Sequence, residues 1–189
     1  KISLRKKYKI SISHTTRKPR ENEKNGRDYF FVKKKEFLKL IKNNKFLEYA
    51  KEFKNYYGSL KETVIQNLEN GGNVIFDIDW QGTEQIKKKK LKFKIVTIFI
   101  LPPSKKELFK RLLKREKKDK KIAKERMKLF EKDVKHWIKY DFVVINDEVE
   151  KCYKLINNFV NLQKKSNLKL GYNKKIIKSH VDYLINSNS

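Results

Sequence analysis

Apolar positions recur along this chain at two periods, and the switches between them mark its elements. Ile10-Ser-Ile-Ser13 alternates as a half-buried strand does, then runs into a polar loop. Tyr29 to Val32 predicts a second short strand. From Lys33 to Asn43, Phe37, Leu38 and Ile41 fall at helical spacing. Asn55 to Ser59 reads as a turn about Gly58, and Leu60 to Glu69 as a helix stopped by Gly71-Gly72. "NVIFDID", "FKIVTIFILPP" and "YDFVVIND" are apolar runs of the kind found in buried parallel strands. A long basic helical segment is predicted from Ser104 to about Lys139, with Ser104 as N-cap three residues ahead of Glu107. Glu148 to Lys165 predicts a closing helix, and the tail beyond Asn167 is weakly patterned.

Strands alternating with helices, with core strands apolar throughout, predict an α/β chain built on a parallel sheet covered on both faces. Polar residues gather just past the carboxyl ends of those strands: Asp77, Asp79, Asn146 and Asp147. In open α/β sheets ligands sit at that edge.

Composition narrows the function classes. With 189 residues the chain can bury a core, and its twelve Phe, nine Tyr and two Trp argue against disorder despite the charge. The longest apolar run, Ile95 to Leu101, is too short to span a bilayer. A single cysteine, Cys152, rules out an intrachain disulfide framework and fits a reducing cytoplasm; it reads as a packed helix residue. The net charge of +27 comes from 49 Lys+Arg against 22 Asp+Glu, mostly lysine spread along the whole chain. That distribution draws in anionic ligands without marking a specific nucleic-acid surface. His14, His136 and His180 lie too far apart in sequence for metal-ligand spacing.

Four groups of residues carry candidate chemistry, each with a plainer alternative. Arg17 and Arg20 present forked donors that match phosphate oxygens, with Tyr29 and Tyr57 able to add hydroxyls; otherwise they are solvated surface arginines. Glu48, among the apolar neighbours of "FLEYA", can accept from the adjacent N1–H and 2-amino donors of guanine, or sit exposed at a helix end. Asp77 and Asp79 alternate onto one side and suit Mg²⁺ or its water shell, ribose and base contacts, or capping of the next turn. Between Lys105 and Lys121 ten Lys/Arg face three acids. Arg111 and Arg115 share a helical face there, as do Lys114 and Lys118, which suits a mobile flap over a polyphosphate or an ordinary solvated helix.

Taken together, "SHTTRKPRENEKNGRDYFFV", "FLEYAKEFKNYYGS", "VIFDIDWQG", "IFILPPS" and "YDFVVIND" resemble guanylate kinases in order and spacing, over roughly residues 10 to 160. The resemblance implies a three-layer P-loop-type core (1–12, 74–103, 131–189) with an inserted GMP-binding subdomain (13–73) and a helical lid (104–130). It implies transfer of the γ-phosphoryl group of ATP to GMP with Mg²⁺, in the cytoplasm, by a monomer or homodimer with no membrane or specific nucleic-acid partner. By the same resemblance Arg17, Arg20, Tyr29 and Tyr57 hold the GMP phosphate, and Ser13, Glu48 and Ser59 read the guanine. Asp77, Asp79 and Gly82 line the GMP and metal side. Arg111, Arg115 and Arg126 reach the ATP phosphates, with Arg17 completing the catalytic set, and Asn146 lies near the adenine.

Three departures accompany it. No G-x-x-x-x-G-K-[ST] phosphate loop occurs, since none of Gly26, Gly58, Gly71, Gly72, Gly82 and Gly171 is followed by lysine. The expectation is an incomplete amino end that opens inside a helix, and a chain that by itself is inactive. Arg115 is followed by Glu116 where the family has glycine, and Asp133 stands where glutamate is usual. The competing reading is a non-catalytic binding module of guanylate-kinase type that keeps the GMP and phosphate pocket but lacks the ATP phosphate loop.

Overall fold

The computed structural model describes residues 8–165 and 173–187, without the side chains of 162–165. The expected opening helix, Gly171 and residues 167–172 of the tail lie outside the described residues. Contacts divide the chain into two compact units, Lys1–Ile95 and Val96–Ser189.

The first unit carries a two-stranded parallel pair, β1 (Lys9–Ile10) with β6 (Val74–Ile75). It also carries a four-stranded mixed sheet in the order β3 (Phe30–Phe31), β2 (His14–Thr15), β5 (Asn55–Leu60) and β4 (Phe46–Glu52). Helices α1 (Lys34–Lys42), α2 (Lys61–Glu69) and α3 (Trp80–Lys88) complete it. Leu47, Val64 and Ile86 form its buried cluster, with Leu68, Phe76, Ile78, Leu91 and Ile95 packed against them. In α1 the apolar face uses fully buried Phe37, whereas Leu38 is exposed. The α2 stop behaves as its glycines predict: Gly71 takes φ +75° and Gly72 N–H donates to Asn67 O at 2.9 Å.

Two expectations fail in this unit, for one steric reason. Residues 55 to 59 are not a turn but strand β5, antiparallel to β4. Gly58 is there because a Cβ would sit 2.9 Å from both Glu48 O and Tyr49 Cβ and 3.0 Å from Phe46 Cδ1, so the strands close only on a hydrogen. The turn falls instead at residues 53–54, where Phe53 takes φ 54°. Glu48 accordingly lies inside a strand, 3% exposed, and not at a helix end.

In the second unit β7 (Ile98–Leu101) pairs in parallel with β8 (Phe142–Ile145). Their register is pinned where they start: Thr97 N and Oγ1 both donate to Asp141 Oδ2 at 2.8 Å. The expected long helix is broken into α4 (Lys105–Arg115), α5 (Lys120–Asp133) and a 3₁₀ turn (Val134–Lys139). Lys117 and Lys118 take φ 51° and 69°, which ends α4 and separates Lys114 from Lys118. Asp119 then caps α5 by accepting from Ile122 N–H at 3.0 Å. Ser104 caps α4 as expected, accepting from Glu107 N–H at 3.1 Å. Helix α6 (Val149–Lys165) follows. The weakly patterned tail contains α7 (Lys174–Asn186), whose Ile177, Val181 and Leu184 join Leu101, Val134, Trp137 and Val143 in the buried cluster. The chain is thus α/β, with parallel and mixed sheets.

Gly58→Ala is expected to destabilise the chain by about 1–3 kcal/mol through forced strand separation. Leu184→Ala is expected to cost about 2–5 kcal/mol because Leu184 is fully buried. Denaturant titration reads both; an unchanged midpoint for either contradicts the packing described.

Candidate nucleotide site

Along β2 and β5 the side chains of alternate residues share a face. Ser13, Thr15 and Arg17 run down one strand line, and Tyr57 and Ser59 down the other, with Thr15 opposite Tyr57. Ser59 and Tyr57 are two residues apart on β5, about 7 Å of strand rise, with one polar cluster about Ser59 and a second beyond Tyr57.

The first cluster is built around Glu48. Ser13 Oγ lies 3.3 Å from Ser59 Oγ, both buried, and Glu48 pairs with Ser59 across the β4–β5 ladder. That ladder shifts register between Phe46 and Glu48, a bulge of the kind that re-aims a side chain. Burial pushes the Glu48 carboxyl up to about 7; Ser59, through its hydroxyl and backbone, pulls it down, Asp79 adds repulsion and Lys89 attraction. Glu48 Oε1 is out of solvent with no hydrogen-bond partner. Glu48 Oε2 lies where a Cβ on Gly82 would be 2.5 Å away, so glycine is what lets α3 start beside this carboxylate. A buried acceptor with one oxygen unpaired, beside the Ser59 hydroxyl that Ser13 backs, has the chemistry to accept from N–H donors.

The second cluster is the arginine pair, which the structure does bring together. Arg17 meets Glu23 with two parallel hydrogen bonds, Nη1 to Oε2 at 2.9 Å and Nη2 to Oε1 at 2.8 Å. Arg20 adds its backbone N–H to Glu23 Oε2 at 2.7 Å and its Nη1 to Oε1 at 3.4 Å. The Arg17 guanidinium stacks over Tyr29 at 5.4 Å, and Tyr29 meets Tyr57 edge-on at 6.2 Å between centroids. Burial opposes the Arg17 charge, but bonding to Glu23 and then Tyr57 holds its pKa above the usual value. Burial likewise opposes the Glu23 charge, and hydrogen bonds from Arg17 and Arg20 hold that carboxyl below its usual value. Two guanidiniums against one carboxylate leave a net positive site with aromatic walls, suited to a phosphate.

Asp79 is the N-cap of α3, accepting from Gly82 N–H at 2.8 Å through Oδ1 and from Gln81 Nε2 at 3.0 Å through Oδ2. The capping alternative is therefore realised at Asp79, while Asp77 is exposed. Among the described residues no group of three His, Cys, Asp or Glu could hold a metal ion. With both Asp79 oxygens engaged, this pair fits contact with a hydrated ion carried on a phosphate chain rather than a protein-held one.

In the second unit Arg111 is drawn to the end of β8, donating from Nη1 to Asn146 O at 2.9 Å and from Nε to Glu107 Oε1 at 2.8 Å. Asn146 Oδ1 is buried without a hydrogen-bond partner. Arg126 Nε lies 3.1 Å from Glu116 Oε1 and Arg115 Nε 3.8 Å from the same atom, so Glu116 is a counter-ion to both arginines. Sequence reasoning missed Glu23, Glu116 and Gln85 as partners of the site. Glu23 had a signal, an acid three residues after Arg20 in "RKPRENE", and Glu116 stood out as the departure after Arg115.

Glu48 holds its proton up to about 7 in the folded chain, against 4.5 ordinarily. The folded state therefore binds that proton more tightly, and stability is lost as pH rises from about 4.5 through about 7. Glu48→Gln is expected to stabilise the unliganded protein at pH 8 by on the order of 3 kcal/mol, the gap closing towards pH 5. Denaturant titration at both pH values checks this; an equal gap at both contradicts it.

The guanylate kinase family model matches residues 3–163. A guanylate kinase of Buchnera aphidicola subsp. Baizongia pistaciae is 46% identical over 152 residues, covering 78% of this chain and 72% of the relative. That of Rickettsia prowazekii is 42% identical over 166 residues, covering 88% and 83%. The crystal structure of guanylate kinase from Anaplasma phagocytophilum superimposes with a TM-score of 0.70 at 29% identity, covering 94% of this chain and 87% of that one. With a buried acid beside Ser59, an arginine fork on Glu23 and this extent of similarity, the chain belongs to the guanylate kinase family.

Proposed function

We infer that this enzyme takes GMP as acceptor and ATP as phosphoryl donor, giving GDP and ADP. The observation that carries the reading is the buried Glu48 Oε1, left without a hydrogen bond beside Ser13 and Ser59. Guanine presents N1–H and a 2-amino group side by side, and both point at a carboxylate placed there. Adenine presents an N1 acceptor instead, which leaves the acid unsatisfied and repelled. The GMP phosphate falls to Arg17, Arg20, Tyr29 and Tyr57. Asp77, Asp79 and Gly82 lie on the ribose and metal side of the base.

Phosphoryl transfer asks a protein for positioning and charge neutralisation rather than covalent chemistry. Arg17 and Arg20 fix the acceptor phosphate and offset its charge. Arg111, Arg115 and Arg126 are the donor-side cations, with Asn146 toward the adenine. Asp77 and Asp79 are the residues that would face the water shell of Mg²⁺ arriving with ATP, which would supply neutralisation of phosphoryl charge. Residues 13–73 form the GMP-binding subdomain and 104–130 the lid in this reading. No helix among the described residues is long and apolar enough to cross a membrane. The binding-module alternative finds no support in the relatives named above, each of which is called a guanylate kinase.

The test is ADP production by the protein expressed from its complete natural reading frame. Production requiring both ATP and GMP, with AMP poorer by about 10⁴-fold, is expected; equal rates with AMP contradict the base-reading role. Arg20→Ala is expected to raise the KM for GMP by about ten- to a hundredfold, the worth of a charge-assisted contact, and to leave the KM for ATP unchanged. Equal effects on both constants remove Arg20 from the acceptor site.

A further inference from the structure

We propose that Gln85 is a positioning residue for guanine selectivity: its amide locks the backbone of β4 beside Glu48 and so fixes where the Glu48 carboxylate points. The assignment rests on Glu48 being the guanine acceptor.

Strand β4 is the outer strand of its sheet, so one side of its backbone has no neighbouring strand there. At Tyr49, the residue after Glu48, Gln85 takes the place of that neighbour. Tyr49 N–H donates to Gln85 Oε1 at 3.1 Å, and Gln85 Nε2 donates to Tyr49 O at 2.7 Å. A primary amide offers a donor and an acceptor on one planar group, which is what one residue of a pairing strand offers. The contact spans 36 residues of sequence and comes from α3.

Its location is what gives it a role in recognition. The β4–β5 ladder slips between Phe46 and Glu48, so the segment that aims Glu48 is held less completely by its own sheet. The Gln85 amide restores two hydrogen bonds at the next residue. One helical turn earlier on the same helix, Gly82 leaves room for Glu48 Oε2, and a Cβ there would be 2.5 Å from it. Helix α3 therefore both grips the strand and leaves clearance for the carboxylate. A side chain at position 82 would therefore push against the carboxylate. Losing the amide clamp frees the Glu48 carboxylate to swing, and a pair of N–H donors on guanine is met less well. A ligand that does not use the carboxylate loses nothing.

Two variants separate the amide from its packing. Gln85→Met keeps the length and apolar stem and removes donor and acceptor; Gln85→Glu keeps an acceptor and sets a carboxylate against Tyr49 O. Kd values for GMP and AMP, by calorimetry and competition, are measured on each beside the parent, at a temperature where melting curves show all three folded. The expected result is GMP binding weakened about ten-fold in both variants with AMP binding unchanged, so that the GMP/AMP ratio falls about ten-fold. A lowered Tm with the parent's ratio retained makes Gln85 structural only and overturns the proposal. A parent protein that binds AMP as well as GMP overturns the substrate reading, and this proposal with it; a parent that prefers GMP with variants that prefer it equally overturns this proposal alone.

Discussion

A carboxylate taken out of water with only part of its hydrogen-bonding capacity met is the costly feature around which the first unit is organised. Glu48 sits one residue after fully buried Leu47 and two before buried Ala50, in a strand whose inward positions are otherwise apolar. Burial alone would favour the protonated form, and protonation turns a carboxylate that only accepts into a group that also donates. Ser59 and Lys89 pull it toward ionisation, Asp79 pushes the other way, and the balance leaves it near neutrality. A strained site of this kind is poor for stability and good for discrimination, because the right ligand relieves the burial that a wrong one leaves in place.

The arginines show the complementary solution for positive charge. In the first unit Glu23 bridges Arg17 and Arg20; in the second, Glu116 lies against Arg126 and Arg115. An acid between two guanidiniums offsets the repulsion that holding them close would otherwise cost. Each glutamate keeps its arginines converged before any phosphate arrives, which lowers the ordering cost when one does. The two units reach this arrangement through different local structure: a loop after β2 in one, the break between α4 and α5 in the other.

Much of this was legible from residues alone, and the failures have definite causes. The arginines, tyrosines and Glu48 stood out by residue type, and the helix limits at Ser104 and Gly71-Gly72 by capping chemistry. Strand β5 was missed because glycine marks both turns and close strand approach, and only the tertiary contact at Gly58 distinguishes them. The break after Arg115 was missed because Lys117 and Lys118 are not residues that announce a left-handed backbone. Helix α7 was readable in Ile177, Val181 and Leu184, but exposed Ile176 and Tyr183 off that stripe blurred its period. Gln85 carried no signal, since a glutamine on a helix announces nothing until a strand edge is found beneath it.

The central claim is that Glu48 must ionise to hold guanine, and proton linkage tests it most directly. Calorimetric titration with GMP near pH 7, in buffers of different ionisation enthalpy, counts the protons released on binding. The parent protein should release a substantial fraction of a proton beyond that released by the Glu48→Gln variant, whose remaining signal comes from the phosphate alone. Equal release by the two proteins would mean that the buried acid does not change state when guanine binds, and the account of the site would be wrong.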